Sequence, residues 1–152
     1  MKERILLVLA VLFLFSGQTA LSQATGYYPK GGPDNGPEDV SVIQLIANPE
    51  AYDQKLVRIT GYLHLEFEGD VIYLHREDFD NALTKNGIWI NLPKDITSGQ
   101  IKAVNDHYVI CTGRFVAGRH GHMGMNSGEM DDVTRIETWF GPRTGSGDTP
   151  SK

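Results

Sequence analysis

Between Leu56 and Asp70 apolar and polar residues alternate. In "LVRITGYLHLEFEGD", Val57, Ile59, Leu63, Leu65 and Phe67 share one parity with Gly61, and Arg58, Thr60, Tyr62, His64, Glu66 and Glu68 share the other. A period of two sustained over a dozen positions predicts one long strand with a buried face and an outward row. Gly61, standing in the apolar row, predicts a bend at which that strand curls. "EGD" turns the chain into "VIYLHRED", the second predicted strand. "DFDNALTKNG" reads as a connection with one helical turn, and "GIWINLP" as a third strand stopped by Pro93. "KDITSGQIKAVNDH" is a polar crossover of weak helical character, followed by "YVICTGRFVAG" as a fourth strand and "VTRIETWF" as a fifth.

Ahead of the strands, "PEDVSVIQLIANPEAYDQK" carries a helical signature. Ser41 with Gln44 three residues on fits a capping box, with Asp39 a rival cap. Val42, Leu45 and Ile46 fall on one face, and Asn48 before Pro49 ends the element. The core of the fourth strand, "VICTGRF", repeats the pattern of "VRITGYL" in the first, fifty-two residues earlier. Nothing around the two copies matches, so this is no tandem repeat; it predicts two strands bent at the same place. The fold class expected is mostly β: a five-stranded OB-fold barrel with an added N-terminal helix and a short helical insert between strands 3 and 4. A small antiparallel sandwich is the alternative.

The ends of the chain change the picture. "MKERILLVLAVLFLFSGQTALSQA" has Lys2 and Arg4 before an apolar run from Ile5 to Phe15, then small residues. That order predicts a signal peptide over residues 1–24, cut after Ala24, since the run is shorter than the roughly 20 residues a bilayer helix needs. The expectation is an exported chain, periplasmic or extracellular, soluble after cleavage. Loss of Lys2, Glu3 and Arg4 takes the net charge from −5 to −6, which opposes phosphate backbones. Gly, Pro and Asp dominate residues 25–39 and the tail 141–152, predicting a linker and a tail without a core of their own. One domain remains, residues 40–140. Its single cysteine, Cys111, excludes an internal disulfide.

"LIANPEAYDQKLVRITGYL" resembles the opening of small exported bacterial OB-fold proteins, including the tRNA-anticodon-like OB family. The resemblance spans residues 42–63 and is carried by Asn48, Pro49, Tyr52, Asp53, Lys55, Val57, Ile59 and Gly61. It implies a fold and a binding role; it carries no catalytic motif.

Two sets of residues present themselves as sites. The outward row of the first strand, Arg58, Tyr62, His64, Glu66 and Glu68, would join Tyr73, His75 and Trp89 in a ligand face. Aromatic rings on such a face stack bases or sugar rings. Carboxylates among them repel phosphate and favour a neutral sugar, a peptide or a cationic partner. The second set lies in "RHGHMGMNSGEMDD", where His120, His122, Met123 and Met125 offer imidazole and thioether ligands suited to copper or zinc. The same methionines also suit a plug for the barrel mouth. The acidic runs "HREDFDN" and "EMDD" lack the ligand spacing of a calcium loop and read as turns. Cys111 has inward parity, and no hydrolase, zinc-protease or phosphate-loop motif is present. The expected function is a non-catalytic binding module for a protein, peptide or saccharide partner in the cell envelope. An envelope metal-binding protein is the alternative, and single-stranded nucleic-acid binding a weaker one.

Overall fold

The computed structural model describes residues 26–27 and 36–140. The expected signal segment 1–24, the tail 141–152 and most of the linker 25–39 lie outside the described residues. The chain is mostly β, and five strands close into a mixed barrel. They are β1 (Leu56–His64), β2 (Val71–Tyr73), β3 (Gly87–Ile90), β4 (His107–Val116) and β5 (Glu129–Thr138). β1 pairs antiparallel with both β2 and β4, β2 with β3, and β4 with β5. A parallel pairing of β3 with β5 completes the ring. Closure removes the open edges that two stacked sheets would leave.

The repeated motif has a structural meaning. Its two copies pair with each other: Val57 lies opposite Gly113, Ile59 opposite Cys111, and Gly61 opposite Val109. Each glycine marks the place where its strand is approached closely by its other neighbour. A Cβ on Gly61 would fall 2.5 Å from the Tyr73 carbonyl oxygen of β2, and one on Gly113 2.8 Å from the Asp131 oxygen of β5. The register also slips between Thr112 and Arg114, so the bend in β4 is a bulge.

Among the described residues four α-helices decorate the barrel. In α1 (Val42–Ala47), Ser41 and Gln44 cap each other's backbone, and Val42 and Leu45 are fully buried. α2 (Pro49–Tyr52) follows directly, with proline in its first turn. α3 (Arg76–Asp80) lies between β2 and β3, and α4 (Ser98–Val104) between β3 and β4. Thr97 and Gln100 form a second capping box at the start of α4, which buries Val104.

Some boundaries depart from the pattern. β1 stops at His64 because the Leu65 amide donates to the Asn105 side chain (2.7 Å) and leaves the ladder. A turn closed by Gly69 to the Glu66 carbonyl follows, with Glu68 at φ +58°, so Phe67 is 91% exposed although it shares the inward parity. β2 is three residues long, and "RED" belongs to α3. β5 begins four residues early, so "EMDD" is strand and not turn. Two pieces of the segment read as linker pair with the barrel, Gly26–Tyr27 with β5 and Glu38–Asp39 with β1.

The interior is filled by Val57, Ile59, Leu63, Ile72, Ile88, Ile90, Val109, Cys111, Phe115, Met130 and Ile136, none more than 1% exposed. Each large side chain of this kind contributes about 1.5–3 kcal/mol by leaving water. Burial also pushes the Cys111 thiol up to about 12, so the thiolate is not formed at neutral pH.

Candidate ligand-binding face

The outer surface of β1, β2 and β3 carries Tyr62, His64, Tyr73 and Trp89, as the alternation predicts, but a lid lies across part of it. Phe79 is the lone apolar residue in "HREDFDN", and α3 brings it onto the sheet. Its ring stacks on His64 at 3.9 Å between centroids and lies 5.8 Å from Tyr73 and 6.2 Å from Tyr62. Tyr62 is consequently only 3% exposed, walled in also by Tyr108 at 5.7 Å, and is a packing residue and not a ligand contact. Burial, and secondarily Asp106, raises its phenol above the usual range. His75 is the exposed residue before α3. Its amide donates to Asp78 Oδ2 (2.9 Å), and Asn86 Nδ2 donates to Asp78 Oδ1 (2.7 Å). Asp78 is therefore buried (7% exposed) as the brace of this connection, not a solvated turn acid.

Beside Phe79 the surface opens into a cavity of about 180 Å³. Tyr73, Phe79 and Trp89 supply its aromatic walls, Met125 a thioether, and Glu66 and Glu68 its acidic rim; no Lys, Arg or His is among the lining residues. Both carboxylates come from the β1–β2 turn, and Met125 and Asn126 from the segment joining β4 to β5. These two loops meet where His122 Nε2 lies 3.5 Å from Glu68 Oε2. Burial raises the Tyr73 phenol, and Glu66 adds to the effect; burial also raises the carboxyl of Asp70 in the same turn.

The His/Met segment is held as a structured flap. Lys85 Nζ donates to the carbonyls of Gly124 (3.0 Å) and Asn126 (3.3 Å), while Ser127 Oγ donates to the Lys85 carbonyl (2.7 Å). Gly121 sits at φ +65°, ψ −161°, a conformation reserved almost wholly to glycine. A Cβ there would fall 2.6–2.8 Å from Trp89, so the backbone passes close against that side chain. The indole Nε1 donates to Asn91 Oδ1 (3.1 Å), and the Asn91 amide donates to Glu129 and Asp131, which Arg119 also engages. The plug expected of the methionines is not built from Met123 or Met125, which are 83% and 41% exposed. Met130, in β5, is the one that fills the core.

The remaining site residues separate. Arg58 pairs with Asp39 (3.1 Å) and lines a different groove, with Thr60, Ile110 and Trp139, so it does not share the face of Trp89. His120 lines a third groove with Pro49, Glu50 and Asp53, while His122 faces Glu68. Among the described residues no three His, Cys, Asp or Glu side chains converge as a metal would require. His64 is the best-held imidazole: Nδ1 lies 2.6 Å from Asp106 Oδ1 and Nε2 3.7 Å from Glu66 Oε2, beneath the Phe79 ring. Two residues the alternation does not reveal, Phe79 and Asp106, thus organise the face. The isolated phenylalanine in a polar run was the available signal for the first; Asp106, at φ +59° between α4 and β4, had none. Among the described residues no helix is long and apolar enough to cross a membrane.

Comparison with known proteins leaves the site to be read from its own chemistry: no family model, no curated protein and no solved structure matches the chain.

Proposed function

We propose that this chain is an exported, non-catalytic OB-fold binding module that grips a protein or peptide partner of the cell envelope through the cavity walled by Tyr73, Phe79 and Trp89. The strand order around the barrel, β1-β2-β3-β5-β4, and a helix between the third and fourth strands support the OB-fold reading. α1 is then an addition in front of the fold, and the basic, apolar and small residues of 1–24 supply the export signal.

One observation carries the functional reading. The cavity lies on the β2–β3 face between the β1–β2 and β4–β5 loops, the position at which this fold takes its ligands. At about 180 Å³ it is smaller than the roughly 300–1,000 Å³ of pockets that enclose whole small molecules. It suits a single side chain of a larger partner better than a free saccharide. Carboxylates at the rim work against phosphate, which counts against a nucleic-acid ligand. No observation comparably favours the copper or zinc reading of His120, His122, Met123 and Met125.

Phe67, exposed at the tip of the β1–β2 turn, provides the test. A Phe67→Cys variant carries one reactive thiol, since Cys111 is buried, and accepts a photo-crosslinker there. Crosslinking in cells should yield a discrete partner that disappears when Trp89→Ala is added. A partner captured equally well with Trp89→Ala would refute the assignment of the site.

A further inference from the structure

Resting on that reading, we infer that the cavity is specific for a cationic side chain, so that the partner presents an arginine or lysine to it. Aromatic rings and carboxylates that line one cavity together form a good receptor for a cation. The ring faces carry negative quadrupole charge, and the carboxylates add full charge at the mouth. Tyr73, Phe79 and Trp89 provide the first and Glu66 and Glu68 the second.

Among the described residues no lysine or arginine lines this cavity. Lys85, the closest lysine in sequence to the lining residue Thr84, is spent on the carbonyls of Gly124 and Asn126. Arg119 is spent on Glu129 and Asp131. Among the described residues, the basic groups within 4 Å of the rim carboxylates are His64 against Glu66, at 3.7 Å, and His122 against Glu68, at 3.5 Å. Both carboxylates remain more than half exposed, with 61% and 53% of their side-chain surface open to an incoming partner. The exposed apolar tips of the two framing loops, Phe67 and Met123, complete a surface for a peptide whose basic residue is flanked by apolar ones.

The test uses a Trp139→Phe background, which leaves Trp89 as the single tryptophan of the barrel. Acetyl-arginine amide, acetyl-lysine amide and tetramethylammonium are titrated against the neutral acetyl-glutamine amide and N-acetylglucosamine. Trp89 fluorescence and amide NMR shifts report binding. The cationic probes should bind about tenfold more tightly than the neutral ones, with shifts at Glu66, Glu68, Tyr73 and Trp89. The Glu66→Gln/Glu68→Gln variant should lose that preference, and its exposed positions leave the fold intact. Equal binding of neutral and cationic probes at these residues would overturn the cation specificity while sustaining the site. Shifts clustered elsewhere, or none at Trp89 with any probe, would overturn both.

Discussion

Gly121 is the position where backbone conformation and side-chain packing make the sharpest joint prediction. Alanine there must adopt φ +65°, ψ −161°, at a cost of about 1–3 kcal/mol. Its methyl group must also displace the Trp89 ring, which a Cβ would approach to 2.6 Å, adding about 1–3 kcal/mol of overpacking. Reduced freedom of the unfolded chain returns about 0.4–1 kcal/mol. The expected loss for Gly121→Ala is therefore about 3 kcal/mol. Gly124 supplies the control, because it too has positive φ (+69°) but nothing lies within 4 Å of its Cβ position. Gly124→Ala should lose about 1 kcal/mol from the backbone alone. Urea unfolding followed by circular dichroism measures both losses, and Trp89 emission in the Trp139→Phe background reports whether the flap has left the indole. If the two variants are equally destabilised and Trp89 emission is unchanged, the proposed contact between flap and indole is wrong.

Gly99 lies within α4, where its Cβ position meets only Thr97 Oγ1 at 3.9 Å, so Gly99→Ala should raise unfolding stability by about 0.5–1 kcal/mol in the same urea assay. Asp78→Ala removes the acceptor for the His75 amide and the Asn86 side chain; a loss of about 1–3 kcal/mol is expected, and thermal unfolding at unchanged stability would show the brace to be dispensable. Cys111 titrates near 9 when unfolded and about 12 when folded, so its contribution is complete below pH 9 and shrinks as pH rises towards 12. The stability difference between the wild type and Cys111→Ala should thus narrow by about 1 kcal/mol per pH unit above pH 9, with tyrosine ionisation common to both. Copper and zinc titrated against a competing chelator should bind the wild type and the His120→Ala/His122→Ala variant alike. Tight binding lost in the variant would instead make the flap a metal site.

What the sequence by itself determined is what depends on neighbours along the chain. Parity picked out Val57, Ile59 and Leu63 for the interior, the Ser41–Gln44 spacing started α1, and the "VRITGYL" and "VICTGRF" motifs marked the two glycines at which a neighbouring strand comes close. Local pattern extends no further than local geometry. Phe67 keeps the inward parity but misses the core, because a hydrogen bond to Asn105, forty residues away, ends β1 first. Only the tertiary structure decided that the two motifs lie antiparallel against each other, each glycine opposite the other's valine. The face was likewise half legible. Alternation offered Arg58, Tyr62 and Trp89 as equals, since it knows only which side of a strand a residue takes. The curl of the barrel carries Arg58 to another groove, and α3 drops Phe79 over Tyr62. Gly121, in the segment that leads into β5, comes close to Trp89 of β3, and β3 and β5 run side by side although forty residues apart in sequence. Those are distances through space between segments remote in the chain, and no periodicity records them.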